Sequence, residues 1–428
     1  MKRLSGRFGI RKLIAVTGAG VLLSSGLGVA AASAADGTSG AGGGTRASSA
    51  PVLPCAMKYV AGNLYIGSGY SVFKVSQRTG RVTTLNPHLP GQPPFGDACG
   101  VAVDGAGNVL VADNAGVVAV AAKTGTFYGK KMVKGHVYLI VAGQAYTGAM
   151  DVQLDPSGNV VFAEAGQEGS TTNYEQDSQI LVLAERAGTF YGKKMTKGRL
   201  YVIAGVLNGG SLPSPCDGPA AAAPATATKA TQANLGFQIG TLRFDAAGNI
   251  ILADGGSNSG GPCGGADDVS PYEVPSRVAV IPARTGSYYG QKMSVGYIYA
   301  IAGLGAKTGS GVPAVDSEFT VVYAVALDHA GNVLVAARNN GYPLGGIRVI
   351  AAKAGTFYGQ KMIKGDIYAL PGLDYANAVA VDNAGNVLAG NVDYSLVQML
   401  AAKTGAYFGV KARAGRIYTI AGTGKVPA

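Results

Sequence analysis

Short apolar runs alternate with Gly-rich polar breaks along almost the whole chain. One stretch shows the pattern well. GVAVD (Gly100–Asp104) reads as a short strand, and Gly105-Ala106-Gly107-Asn108 as the tight turn after it. VLVAD (Val109–Asp113) reads as a second strand, VVAVAA (Val117–Ala122) as a third, and HVYLIV (His136–Val141) as a fourth. Runs this short, rich in Val and bounded by Gly, Asn and Asp, fit strands better than helices. In the turn, Gly supplies positive φ and Asp can bond the turn backbone.

The unit recurs. Its D-x-x-G-N turn starts at Asp104, Asp155, Asp245, Asp328 and Asp382. An eleven-residue phrase between the third and fourth runs recurs five times: GTFYGKKMVKG (Gly125–Gly135), GTFYGKKMTKG (Gly188–Gly198), GSYYGQKMSVG (Gly286–Gly296), GTFYGQKMIKG (Gly355–Gly365) and GAYFGVKARAG (Gly405–Gly415). An earlier, plainer unit, YVAGNLYIGSG followed by SVFKVSQRTGRVTTL, lacks that phrase. Four sequential strands per self-similar unit predict an all-β fold, a β-propeller of six four-stranded antiparallel blades. The last unit ends in its own fourth strand, RIYTIAG, so closure without strand exchange is expected.

The hairpin G-V-A-V-D-x-x-G-N-V-L-V-A-D, with a strand ending in I-A-G, resembles the NHL-repeat family of β-propellers from about Cys55 onward. The GTFYGxKM phrase departs from the plain NHL pattern and is similar to an elaboration of exported bacterial NHL-like proteins. The resemblance implies the fold; a function has to be argued from a site.

Composition changes this picture only at the chain's start. Lys2, Arg3, Arg7, Arg11 and Lys12 precede an apolar stretch and an A-x-A site at Ala32–Ala34, so residues 1–34 read as a signal peptide. Residues 35–54 read as a Gly/Ser-rich linker and 55–428 as the propeller. The expected product is secreted and monomeric, without a membrane span. The net charge of +11 includes those five positives, which leaves about +6 and gives no argument for nucleic acid. The four cysteines, Cys55, Cys99, Cys216 and Cys263, suggest two disulfides with three connectivities; pairing of sequence neighbours, Cys55–Cys99 and Cys216–Cys263, is expected.

In such a ring the D-x-x-G-N turns and the eleven-residue phrases share one face, which is constant and carries many lysines. The other face holds the remaining loops, which vary in length and are acidic. Recognition usually sits on variable loops of a rigid scaffold. Asp113, Glu164, Asp254 and Asp393, at or just beyond the ends of second strands, are the candidate ligand-binding residues. The function expected is a binding module on which a protein or a small-molecule ligand docks through that face. The alternative is a metal-assisted hydrolase or lyase at the channel mouth, with a divalent cation held by carboxylates such as Asp97 and these four. Three scattered histidines, His88, His136 and His329, fit a zinc site poorly, and no G-x-S-x-G occurs. The repeated aromatic pairs and methionines of the phrase are expected to be structural.

Overall fold

A computed structural model describes residues 46–50, 52–85, 95–143, 148–164, 178–205, 227–236, 239–256, 276–338 and 345–424. These form a six-bladed propeller of antiparallel blades, with no helix beyond three short 3-10 turns among the described residues. The first strands of the blades are Ala56–Val60, Val101–Val103, Ala149–Leu154, Ile239–Phe244, Val321–Leu327 and Ala378–Val381. Each touches the next around the ring, and the last touches the first, so they enclose an axial channel. Both chain ends supply complete blades, as expected: the first from Ala56 to Leu85, the last ending in Ile417–Gly422.

The blades hold together through apolar faces pressed between neighbours. Leu110, Met132, Val152 and Phe162 share one such layer between blades 2 and 3. Second strands such as Val109–Asp113 and Ile250–Asp254 are buried along their whole length, which explains why they read as unbroken apolar runs.

The eleven-residue phrase is a small hairpin of its own. Gly125–Phe127 pairs with Lys130–Met132, and the other four copies pair likewise. Its turn residue stands in the left-handed region: Tyr128, Tyr191, Tyr289 and Tyr358 have φ of 53, 51, 50 and 53°. That conformation costs an L-residue about 1–2 kcal/mol. The D-x-x-G-N turn offsets it. Asp155 Oδ1 accepts from the backbone N–H of Ser157 (2.8 Å) and Asn159 (2.9 Å). Its Oδ2 accepts from Asn159 Nδ2 (2.8 Å) and from the Tyr191 hydroxyl (3.4 Å). Asn159 Oδ1 then accepts from Glu185 N at the end of the third strand (2.9 Å). The same set recurs at Asp104, Asp245 and Asp328, so both sequence signatures are two halves of one clasp. Met132, Met195, Met293 and Met362 are buried beneath it.

Blade 6 departs from this rule because its phrase reads Tyr407-Phe408 in place of Phe-Tyr. Phe408 has no hydroxyl to give Asp382. Gln77 of blade 1 takes over: its Nε2 donates to Asp382 Oδ2 (2.6 Å), and its Oε1 accepts from Tyr59. The ring is sewn shut at this seam.

Two findings were not expected. In blades 4 and 5 the incoming crossover pairs with the outermost strand before turning inward, giving five-stranded sheets (Ala227–Lys229 on Tyr297–Ala302, Val312–Pro313 on Asp366–Ala369). This covers an exposed edge, a position prone to pairing with other chains. The described part of the 35–54 linker does the same for blade 1. Arg46 bridges to Arg81, and Ala47, Ala50 and Val52 are buried in the layer between blades 6 and 1. That end of the linker therefore belongs to the ring. Blades 1 and 2 are also joined covalently at Cys55–Cys99, with Cα atoms 5.2 Å apart, as expected. Cys216 and Cys263 lie outside the described residues, as do residues 1–45.

Candidate functional site

Two layers occupy the ring axis. The upper one is a cavity of about 320 Å³ at the channel mouth on the variable face. All six blades reach it, through Ala56, Cys99, Met150, Thr241, Val322 and Asn377 among others. The wall is mostly apolar because these are the first residues of strands whose other side chains pack between blades. Gly240 is needed here: a Cβ on it would lie 1.9 Å from the Tyr323 carbonyl oxygen. Val392, from the turn after blade 6's second strand, completes the wall.

The lower layer closes the channel. An innermost strand has a free edge, and its backbone N–H and C=O groups need partners once water is excluded. Here polar side chains of other innermost strands supply them. Asp151 Oδ2 accepts from Leu242 N (2.7 Å) and from Arg243 Nη1 (3.2 Å). Arg243 Nη2 donates across the axis to the Met57 carbonyl (2.8 Å). Lys58 Nζ donates to Gln153 Oε1 (2.9 Å), and Gln153 Nε2 donates to Asp151 Oδ1 (3.3 Å). Thr241 Oγ1 accepts from Val325 N (2.8 Å) and donates to its carbonyl (3.2 Å).

Burial sets the electrostatics of this layer. Desolvation pulls Lys58 down to about 8, with the Arg243 guanidinium adding repulsion. Desolvation raises the Asp151 carboxyl, against the opposing pull of Arg243. Two cations thus surround one carboxylate that is already fully engaged. This donor set does not fit a divalent cation, and among the described residues no three His, Cys, Asp or Glu side chains gather to hold a metal.

None of the four carboxylates picked out by the sequence lines the cavity. Asp113 and Asp254 each end a buried second strand and hold the crossover into their own blade. Asp113 accepts from Gly96 N (2.6 Å) and Ala115 N (2.9 Å). Asp254 accepts from Gly236 N (2.8 Å) and pairs with Arg277 (3.0 Å), which in turn holds the Asn234 carbonyl (3.0 Å). Glu164 occupies the equivalent place in blade 3 and is fully enclosed. Asp393 is exposed, in the turn that also carries Val392. Beside it, Tyr394 faces Tyr375 edge-on with ring centroids 6.2 Å apart, both about two-fifths exposed. Asp97, at the surface beside Asp113, has its carboxyl pushed up by desolvation of its acid group and by the Asp113 carboxylate.

Sequence reasoning missed the axial layer. Its signal was present: Lys58, Asp151, Gln153 and Arg243 interrupt first strands that are otherwise apolar. That they meet is a property of the ring alone, since Arg243 and Met57 stand 186 residues apart.

No protein-family model matches the chain, and no curated protein matches it. Among the solved structures similar to it are three at low identity. A gluconolactonase from Xanthomonas campestris is 12% identical, with TM-score 0.40 over 77% of this chain and 80% of that one. A calcium-binding regucalcin from Agrobacterium tumefaciens is 11% identical, with TM-score 0.43 over 86% and 95%. A luciferin-regenerating enzyme is 11% identical, with TM-score 0.42 over 82% and 84%. Each is a likeness of fold alone.

Proposed function

We propose that the chain is a binding module of NHL-like type whose ligand enters the channel mouth on the variable face. The observation that carries this reading is the mouth cavity, walled by all six blades and floored by a polar layer whose main groups are already paired. Such a floor offers shape and an apolar wall, while its carboxylate is committed to Arg243. Concave, mostly apolar sites with a few polar groups at the rim are the usual form of small-molecule sites. Tyr375, Tyr394 and Asp393 give the rim aromatic edges and one exposed carboxylate. Asp113 and Asp254 act on the ligand through the crossovers they hold, and Glu164, at the equivalent place in blade 3, is assigned the same part. The Cys55–Cys99 bond fits an oxidising, extracellular setting, and no helix among the described residues is long and apolar enough to cross a membrane.

A thermal-shift screen of the purified chain against a small-molecule panel tests the reading. Compounds that raise the melting temperature should stop doing so in Met150→Trp, which fills the mouth, provided that variant melts like the wild type. Compounds that act equally on both would move the site elsewhere. Metal analysis of the same preparation separates the rival class: a stoichiometric divalent cation that is required for turnover would replace binding by metal-assisted hydrolysis or lysis.

A further inference from the structure

The opposite face carries a charge that nothing in the mouth explains. The five segments that run from the third strands to the start of the fourth (121–136, 184–199, 282–297, 351–366 and 401–416) contain eighteen Lys and Arg against two carboxylates, Glu185 and Asp366, the latter the first residue of its fourth strand. The whole chain has 35 basic residues, so half of them sit in these five segments. All eighteen are exposed except Lys193, whose ammonium donates to the Val202 carbonyl (2.8 Å). Among the described ion pairs none involves them. The D-x-x-G-N aspartates of the same face, Asp104, Asp155, Asp245, Asp328 and Asp382, have their oxygens turned inward to the clasp. Lys131, Lys194, Lys292, Lys361 and Lys411 hold the same place in five successive hairpins, so the positive charge is spread around the rim instead of gathered at one point.

We propose that this hairpin face is a docking surface for a linear polymer of repeating phosphate groups. Three features select that partner. Lysines outnumber arginines thirteen to five in these segments, which favours point-charge contact with phosphate over bidentate carboxylate clamps. The charges are separate and repeated, which suits a multivalent chain better than a single small anion. The Tyr128, Tyr289 and Tyr358 hydroxyls are bound to the clasp aspartates at 2.9–3.0 Å, which holds these rings to the turns beneath them and favours a ligand met by charge over one met by base stacking.

The test is the binding of labelled long-chain inorganic polyphosphate to the wild type, measured by anisotropy from low to physiological salt. Binding should weaken steeply with salt. The variant Lys131→Glu/Lys194→Glu/Lys361→Glu/Lys411→Glu should lose at least ~10-fold in affinity, and its salt slope should fall by about 3, near 0.7 per lost contact to a single-stranded polyanion. The matching Lys→Gln variant should fall between, and it keeps the test valid if the glutamate variant unfolds. Pyrophosphate should fail to compete. No wild-type binding at low salt, unchanged binding in both variants, or tighter binding of single-stranded DNA or heparin than of polyphosphate would each overturn the proposal.

Discussion

At the residue scale, the axial pair shows how a buried charge is made tolerable. Asp151 and Arg243 are each almost completely shielded from solvent, yet their oxygens and nitrogens meet backbone groups, the Gln153 amide and each other. Removing one partner should therefore cost far more than the pair itself contributes. Arg243→Met should destabilise the ring by about 3–5 kcal/mol in equilibrium denaturation, because it leaves a buried carboxylate and the Met57 carbonyl short of donors. Lys58 gives a pH signature. Its folded value is about 8 and the unfolded value near 10.5, so between those limits the unfolded chain binds a proton that the folded chain does not. Stability from this group must rise as pH rises through that window, on the order of 3 kcal/mol in all. The difference between wild type and Lys58→Met, measured at pH 7 and 10, should show that rise; a flat difference would mean that Lys58 keeps its ordinary affinity for the proton.

At the element scale, the clasp between turn and hairpin explains why two short phrases recur together. Asp155→Ala strips four donors of their acceptor and should cost about 2–4 kcal/mol, whereas Tyr191→Phe removes one bond and should cost about 1 kcal/mol. Burial and the adjacent carboxylates raise Tyr128, Tyr191, Tyr289 and Tyr358 above their usual range. A raised folded value means stability that is present below pH 10 and lost as pH climbs beyond it. Removing one of these hydroxyls should therefore lessen the alkaline loss, a trend that denaturation at pH 9 to 11 would reveal. The clasp was legible in the sequence as repetition, because the residues of each copy lie within about forty positions of one another. Its chemistry was not, because the positive φ at Tyr128 is invisible until the hairpin is seen. The fifth strands of blades 4 and 5 were hidden for a similar reason: Ala227–Lys229 is short, and its partner Tyr297–Ala302 comes some seventy residues later.

At the scale of the whole molecule, the six-blade count and the Cys55–Cys99 bond could be read from spacing, while the axial layer could not. Asp113 and Asp254 looked like binding groups since they end second strands at the loop-rich face; the structure shows that those strand ends are also where crossovers need anchoring. The disulfide links blades 1 and 2 across 44 residues. On the loop-entropy account it contributes about 4 kcal/mol, so Cys55→Ser/Cys99→Ser should show a matching loss in denaturation under non-reducing conditions.

The seam at Gln77 has a consequence in time. Its bond to Asp382 joins residues 305 apart, whereas the clasps of blades 2 to 5 and the disulfide are local by comparison. A chain emerging from its N-terminus finishes blade 1 first and closes it last. Throughout that interval the apolar side of blade 1, with Leu64, Ile66 and Val75, waits for Met399 and Phe408 to be made. The slowest folding event should thus be the docking of the last blade on the first, since contacts of long sequence separation form late. Gln77→Leu would be felt in the rate of that final step, while the earlier blades assemble at an unchanged pace.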